Sequence, residues 1–170
     1  MSKIVAVVLA FLSLMLFPTT SKAQLLPSGN VYAGVGYADS VDVVNRLTFR
    51  GWDASAEALP FHRYAYVGIV LDASGFYRSG VNQYNFVLGP RVSKNFGQWR
   101  VFADAMAGIQ ETRTGGASFH PVIEDFGAGA DRKLPFKNFS WRFQFDYVHS
   151  HLLSANQNDF RGSTGLVWRF

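Results

Sequence analysis

D-F-R-G-S-T-G-L-V-W-R-F, residues 159–170, is the stretch that decides the fold. Its residues alternate in character at the two-residue period of a β-strand. One face carries Phe160, Gly162, Thr164, Leu166, Trp168 and Phe170, and the other carries Arg161, Ser163, Gly165, Val167 and Arg169. The first face is aromatic and apolar, and it needs either a neighbouring element or an apolar solvent to cover it. A lipid bilayer would supply that solvent.

The first 23 residues have the organisation of an export signal. Lys3 precedes the largely apolar residues 4–17, and Ser21-Lys22-Ala23 has the small-x-small pattern of a cleavage site. An apolar run of this length is too short to cross about 30 Å of hydrocarbon as a helix. The sequence therefore predicts a signal peptide over residues 1–23 and one mature domain over residues 24–170. No Cys is present to carry a lipid anchor.

Composition excludes several classes of protein. Two of the 16 basic residues lie in the leader, which leaves 14 against 12 acidic residues, and no Lys/Arg run suggests nucleic-acid binding. The absence of cysteine excludes disulfides and thiolate chemistry. Aromatic residues make up 16% of the chain, yet residues 24–170 contain no apolar run of eighteen. A helical membrane protein is excluded by that pattern, and a β protein with alternating faces is favoured.

The alternation predicts eight strands. The clearest places five aromatic residues on one face, from Phe139 to Tyr147, and the weakest contains Gly127-Ala128-Gly129-Ala130. The predicted strands are residues 30–38, 47–58, 64–72, 84–92, 99–110, 122–134, 139–148 and 159–170.

The predicted connections alternate in length. Tight turns are expected near Pro60, Asn95 and Pro135, and longer loops over residues 39–45, 73–82, 111–121 and 150–158. This asymmetry is typical of outer-membrane barrels, with short turns on one side and longer loops on the other. An even number of strands puts both chain ends on one side.

Charged residues in mid-strand distinguish a membrane barrel from a soluble barrel or sandwich, in which the aromatic face would point inward. They stand among Gly, Ala and Ser, which suits a narrow interior where opposite charges pair. An eight-stranded barrel has room only for its own side chains, so a packed polar core is expected and no channel. The predicted network in the lumen comprises Arg91, Arg100, Asp104, Asp131, Arg142, Asp146, Arg161 and Arg169.

The chain resembles the small eight-stranded outer-membrane barrels, which include the OmpA-like transmembrane domain, OmpX and the opacity-type proteins. Phe170, Trp168 and Leu166 resemble the signal that this family presents to the outer-membrane assembly machinery. Gly89-Pro90-Arg91 and Gly127-Ala128-Gly129-Ala130-Asp131 are also similar to the family. The resemblance implies an all-β, eight-stranded antiparallel up-and-down transmembrane β-barrel, a monomer in the bacterial outer membrane in contact with lipid and lipopolysaccharide. OmpA-like proteins continue into a peptidoglycan-binding domain, and this chain is not expected to have that tether.

The expected function is structural and interactive. Surface loops, especially residues 111–121, are expected to mediate adhesion or envelope contacts, without enzymatic activity, cofactor or pore. Two alternatives remain: a lipid A-modifying acyl hydrolase and a narrow channel for small solutes.

The acyl hydrolase would depend on His149-Ser150-His151, with Ser154, Asn156 and Glu124 near. Neighbouring strand residues point to opposite faces, so His149 and Ser150 can meet only where the strand has ended. His62 and His120 are isolated and adjoin connections, and no spacing matches a metal site. No catalytic, cofactor-binding or metal-binding residue is therefore predicted.

Overall fold

The computed structural model describes residues 28–41, 46–59, 66–152 and 155–170, and of residues 40, 41, 46, 47, 151, 152 and 155–157 the backbone only. The predicted signal peptide, its cleavage site and the turn at Pro60 lie outside the described residues. Within the described ranges, no helix is long and apolar enough to span a membrane.

The described residues contain nine strands, and two of them, β6 and β7, together form one strand of the barrel. β6 and β7 pair with the same strand in one continuous register, since Thr112 faces Phe119 and Ile109 faces Val122. Between them the backbone N–H of Gln110 donates to the carbonyl of Pro121 at 3.0 Å, and proline has no N–H to donate in return. The strands are Gly29–Val41 (β1), Arg46–Ala58 (β2), Val67–Arg78 (β3), Val81–Phe96 (β4), Trp99–Thr114 (β5), Ala117–Phe119 (β6), Val122–Lys133 (β7), Phe139–Leu152 (β8) and Ala155–Arg169 (β9).

The strands close into a barrel. With β6 and β7 counted as one, each strand pairs antiparallel with the next in sequence, and β9 returns to pair with β1. At this seam the N–H of Phe170 donates to the carbonyl of Gly29 at 3.1 Å, and the N–H of Gly29 donates back at 3.3 Å. The predicted all-β, eight-stranded antiparallel up-and-down barrel is confirmed, and residues 159–170 form the strand that closes it.

Exposure alternates along most of each long strand, and the majority of the large apolar side chains lie outside. Phe145 is 72% exposed and Leu166, Trp168 and Phe170 are also exposed, whereas Val167 between them is buried. Charged and polar side chains fill the inside instead. This arrangement is the reverse of a soluble barrel, in which the aromatic face would point inward.

The four predicted loops are the main error of the sequence analysis. Residues 73–78 continue β3, and β4 resumes at Val81 after a turn at residues 79–80. Residues 111–121 form most of a hairpin, because β5 runs to Thr114 and β6 begins at Ala117. Gly115 and Gly116 make its turn with φ values of 55° and 87°, which favour glycine. Ser-Gly and Gly-Gly pairs therefore close tight hairpins here and do not mark loops.

The other two predicted loops shorten in the same way. β1 extends to Val41 and β2 begins at Arg46, while β8 extends to Leu152 and β9 begins at Ala155. Among the described connections the predicted contrast between short and long is wrong, because the connection at residues 134–138 is longer than the turns at residues 79–80 and 115–116. We call the end with the turns at residues 79–80 and 115–116 the hairpin end, and the end with Gly29 and Phe170 the terminal end.

Candidate functional site

The eight charged residues of the predicted network all lie on the inner face of the barrel. Seven are buried, and the side chain of Arg169 is 25% exposed at the terminal end. Arg91 and Arg142 are among the largest fully buried side chains of the described residues. Guanidinium groups at such positions need anionic or aromatic partners, because desolvating a charge is costly.

Asp131 is one centre of this network. Arg142 binds it through two parallel contacts, Nε to Oδ1 at 2.7 Å and Nη2 to Oδ2 at 3.1 Å. Arg169 donates to Oδ2 at 3.2 Å, and Nη1 of Arg100 lies 3.8 Å from the same oxygen. Arg142 also donates to Asn30 at 3.4 Å. One carboxylate thus holds together three strands, β5, β8 and β9, from its own place on β7.

Glu57 is a second centre, and the sequence analysis did not include it. Arg100 makes two contacts with its carboxylate, of which Nη1 to Oε2 measures 3.0 Å. Nη1 of Arg91 lies 3.7 Å from Oε2, and Asn30 donates to Oε2 at 2.7 Å. Glu57 has the same parity as Asp53, and that pattern is the signal that could have identified it.

Phe102 lies between two arginines inside the barrel. The guanidinium carbon of Arg91 lies 4.1 Å from the ring centroid, and that of Arg142 lies 4.6 Å from it. Both are within the range of cation–π attraction. Arg91 is also bound to Asp104, through Nε at 2.7 Å and Nη2 at 2.6 Å. A Cβ at Gly129 would overlap the ring of Phe102, so that glycine provides the space for it.

Pairing in the hairpin-end half of the lumen is looser. Arg161 Nη1 lies 3.6 Å from Asp125 and 3.4 Å from the hydroxyl of Ser74. Asp146 faces Arg161 in the strand register, but its described hydrogen bond comes from Gln144 at 2.9 Å. Arg161 and Asp146 are therefore both buried inside the barrel, as the sequence predicted. Their hydrogen-bond partners could not be predicted from the alternation of the strand.

A belt of apolar side chains lies inside the barrel, on five consecutive barrel strands. Its members contact one another and are buried, and they are Val70, Val87, Met106, Ile123 and Val148. Together with the charge network, this belt makes the described lumen a packed core.

The histidine-rich segment is divided between the two faces. Glu124 on β7 lies directly opposite His149 on β8, on the outer face. His149 Nδ1 lies 2.6 Å from Oδ1 of Asn158, which also accepts a hydrogen bond from Tyr147 at 2.9 Å. Ser150 is buried in the lumen, because β8 continues past it to Leu152. The imidazole of His149 and the hydroxyl of Ser150 therefore point apart.

The other residues of that candidate site lie partly outside the described structure. The side chains of His151 and Asn156 are not described, and neither is Ser154. Within the described residues, no group of three or more His, Asp or Glu side chains is placed to hold a metal ion.

The hairpin end carries an exposed polar and aromatic surface. Arg113 binds Glu111 at 2.7 Å and lies 5.9 Å from the ring of Tyr84. Tyr84 packs edge to face with Tyr77 at 5.8 Å. His120, which was expected to be isolated, lies 3.7 Å from Glu111. We call Tyr77, Tyr84, Glu111, Arg113 and His120 the hairpin-end surface.

Comparison with known proteins identifies the fold. No protein-family model matches the sequence, and no curated protein matches it. The crystal structure of neisserial surface protein A has a TM-score of 0.70 at 10% identity, covering 84% of this chain and 97% of that one. The attachment invasion locus protein Ail of Yersinia pestis has a TM-score of 0.56 at 15% identity, covering 86% and 100%. The N-terminal β-barrel domain of Pseudomonas aeruginosa OprF has a TM-score of 0.58 at 12% identity, covering 84% and 99%. The chain therefore has the fold of the small eight-stranded outer-membrane β-barrels.

Proposed function

We propose that this protein is a monomeric barrel of the bacterial outer membrane, exported by residues 1–23, with a structural and interactive role. The carrying observation is the inverted distribution of its residues, with exposed aromatic side chains outside and paired charges inside. Such an exterior is stable only in contact with lipid. The packed lumen supports a barrel that conducts no solutes, since the apolar belt and the buried arginines occupy its interior.

The test of this proposal is electrophoresis of the protein refolded in detergent micelles, with and without boiling. A β-type circular dichroism spectrum and a mobility that shifts on boiling are expected of a detergent-stable barrel. Folding in plain buffer without such a shift would refute the membrane location. Single-channel recording in planar bilayers tests the lumen, and discrete conductance steps there would refute the packed interior and favour the solute channel.

The hairpin-end surface is the region we assign to contacts outside the membrane. It combines a cationic side chain, Arg113, with the exposed ring of Tyr77 and the half-buried ring of Tyr84, a combination suited to anionic saccharides. Ail has been crystallised with the heparin analogue sucrose octasulfate, and its structure in that complex has a TM-score of 0.60 and 14% identity with this chain. We therefore expect lipopolysaccharide or another anionic polysaccharide at this surface.

Binding of fluorescent heparin and of lipopolysaccharide to the refolded protein tests this assignment. An Arg113→Ala, Tyr84→Ala variant is expected to bind more weakly than the wild type. Lys137→Ala, at the opposite end of the barrel, serves as the matched control and is expected to bind normally. Equal weakening by both variants would point to a general charge effect and refute the surface.

A lipid A-modifying activity is the second candidate, and the row of Glu124, His149 and Asn158 favours it. These side chains lie on the outer face, where lipid would reach them. Replacing His149 with Ala and comparing lipid A acylation by mass spectrometry tests the activity, with the inward-facing Ser150→Ala as control. If His149→Ala and Ser150→Ala both leave the lipid A profile of the wild type unchanged, the proposed enzymatic activity is refuted.

A further inference from the structure

The exposed charged side chains that the structure describes at the terminal end have one sign. Lys94, Arg132, Lys133 and Lys137 are exposed there, and they include every lysine of residues 24–170. Of the acidic residues whose side chains the structure describes, only Asp39, Glu111 and Glu124 are not buried, and all three lie in the hairpin-end half of their strands. The terminal end therefore presents a cationic surface without described acidic side chains to balance it.

Arg132 occupies a defined place within this surface. On the outer face it lies directly opposite Trp99 of β5 on one side and Trp141 of β8 on the other. Its guanidinium carbon lies 5.7 Å from the Trp99 ring centroid, within the range of cation–π attraction. Trp141 is oriented by a hydrogen bond from its indole N–H to the hydroxyl of Thr164 at 2.8 Å.

Neighbouring cations add charge beside this row. Lys133 follows Arg132 and lies opposite the buried Ser140, so it has the parity of the inner face, but its side chain is exposed at the rim of the terminal end. Its backbone N–H donates to the carbonyl of Gln98 at 2.9 Å. Phe96 lies opposite Trp99, and Nζ of Lys94 lies 5.3 Å from the Phe96 ring. Phe96, Trp99, Arg132 and Trp141 thus form a continuous lipid-facing row across four barrel strands.

Tryptophan rings of membrane barrels lie at the level of the lipid headgroups, because the ring is apolar and its N–H is polar. Arg132 lies at that level between two of them and is within cation–π range of Trp99. A guanidinium there meets phosphate groups, which it recognises with two parallel hydrogen bonds. Lys133 and Lys94 add positive charge that a zwitterionic headgroup would not compensate.

We propose that Arg132, between Trp99 and Trp141 and assisted by Lys133 and Lys94, binds the phosphate of an anionic phospholipid in the leaflet at the terminal end. The site selects phosphatidylglycerol over phosphatidylcholine through its net positive charge. This inference rests on the proposed membrane location of the barrel.

The experiment uses the fluorescence of tryptophan and lipids brominated on their acyl chains, which quench tryptophan on contact. Three of the four tryptophans, Trp99, Trp141 and Trp168, lie at the terminal end, and a Trp52→Phe background removes the fourth. The full chain is refolded into phosphatidylcholine vesicles that contain either brominated phosphatidylglycerol or brominated phosphatidylcholine. The ratio of the two quenching constants gives the preference for the anionic lipid.

The wild type is expected to prefer phosphatidylglycerol, and Arg132→Gln to lower that preference about five-fold, the effect of one basic residue at an anionic surface. Lys133→Gln is expected to lower it in the same direction. The matched control is Arg78→Gln, an exposed arginine at the hairpin end, which is expected to leave it unchanged. Raising the ionic strength from about 0.1 M to about 1 M should weaken the preference of the wild type, because the screening length falls from about 10 Å to about 3 Å.

The outcomes separate the site from the proposed function. A protein that does not insert into either vesicle, judged by its mobility with and without boiling, refutes the membrane barrel itself. A protein that inserts into both but shows equal quenching by the two lipids refutes the site alone. A preference that Arg132→Gln leaves intact, or that Arg78→Gln lowers equally, also overturns the assignment to Arg132.

Discussion

Replacing Arg142 with Ala tests the energetic importance of the lumen network. The Arg142 side chain is fully buried and bound to Asp131 by two contacts. Its guanidinium also lies 4.6 Å from the Phe102 ring and 4.9 Å from the Tyr32 ring. Removing one partner of a buried ion pair leaves the other charge without compensation, which costs about 3–5 kcal/mol.

The network determines where in that range the cost lies. Asp131 keeps the contacts with Arg169 at 3.2 Å and with Arg100 at 3.8 Å, so its carboxylate is not left without cations. The side chain of Arg169 is partly exposed, and solvent screens its contribution. The lost stacking on two rings adds to the cost. We expect Arg142→Ala to lower the free energy of unfolding by about 3 kcal/mol.

The measurement is urea unfolding of the barrel from lipid vesicles, followed by tryptophan fluorescence. Arg113→Ala is the matched control, because it breaks the exposed pair between Arg113 and Glu111 and should cost less than about 1 kcal/mol. A double variant, Arg142→Met with Asp131→Asn, removes both charges and keeps most of the volume. It should cost less than the sum of the two single changes, because each single change leaves the charge of the other partner uncompensated, whereas the double change removes both charges.

If Arg142→Ala lowered the free energy of unfolding no more than Arg113→Ala does, the stabilising role of the buried pair would be refuted. It would also fail if the double variant showed the plain sum of the two single effects, because then Arg142 and Asp131 would not be coupled.

Three further predictions follow from packing, closure and the lumen. Gly127→Ala should destabilise the barrel by about 1–3 kcal/mol in urea unfolding, because its Cβ would overlap the carboxylate of Asp104. Gly162→Ala is the control and should be nearly neutral, because its Cβ would lie 3.5 Å from the nearest atom. Phe170→Ala should reduce the amount of heat-modifiable barrel assembled in cells more than it reduces refolding in micelles, if Phe170 acts as an assembly signal; equal losses would contradict that role. Planar-bilayer recordings of the wild type should show no conductance. A Met106→Gly, Val87→Gly variant, which removes side chains from the apolar belt, is the comparison, and conductance in this variant would show that the assay can detect an open lumen.

Parity was sufficient to predict most of the barrel. The alternation from Phe139 to Tyr147 and from Phe160 to Phe170 fixed which face of each strand points outward, because a two-residue period leaves only two choices. The inward placement of Arg91 and Arg142 came from the same pattern. The odd or even position of a residue along a strand tells which face its side chain is on, but not which side chain it contacts. The pattern therefore identified Asp146 as inward-facing but did not predict its hydrogen bond from Gln144.

The connections could not be predicted in the same way. Gly, Ser and Asn favour loops by composition, but a glycine pair also supplies the left-handed residues of a two-residue hairpin. Residues 111–121 contain both signals, and the pairing of Thr114 with Val81 on one side and Ala117 on the other decides between them. Such pairing is a long-range property, and no local pattern encodes it. Glu57 lay within the predicted strand 47–58, on the same face as Asp53, and was nevertheless not assigned to the network.

The barrel separates its two kinds of basic residue by their chemistry. Every basic residue that is buried in the described structure is an arginine, and Arg91, Arg142 and Arg161 all lie against aromatic rings in the lumen. A planar, weakly hydrated guanidinium can stack and bind a carboxylate with two bonds at once, whereas a lysine ammonium is strongly hydrated and remains where water or headgroups reach it. The lysines of the described residues consequently lie at the terminal end. Arg132 combines the position of the lysines with the ring contact of the buried arginines, and in the proposed membrane location a lipid phosphate would be the anion at that position.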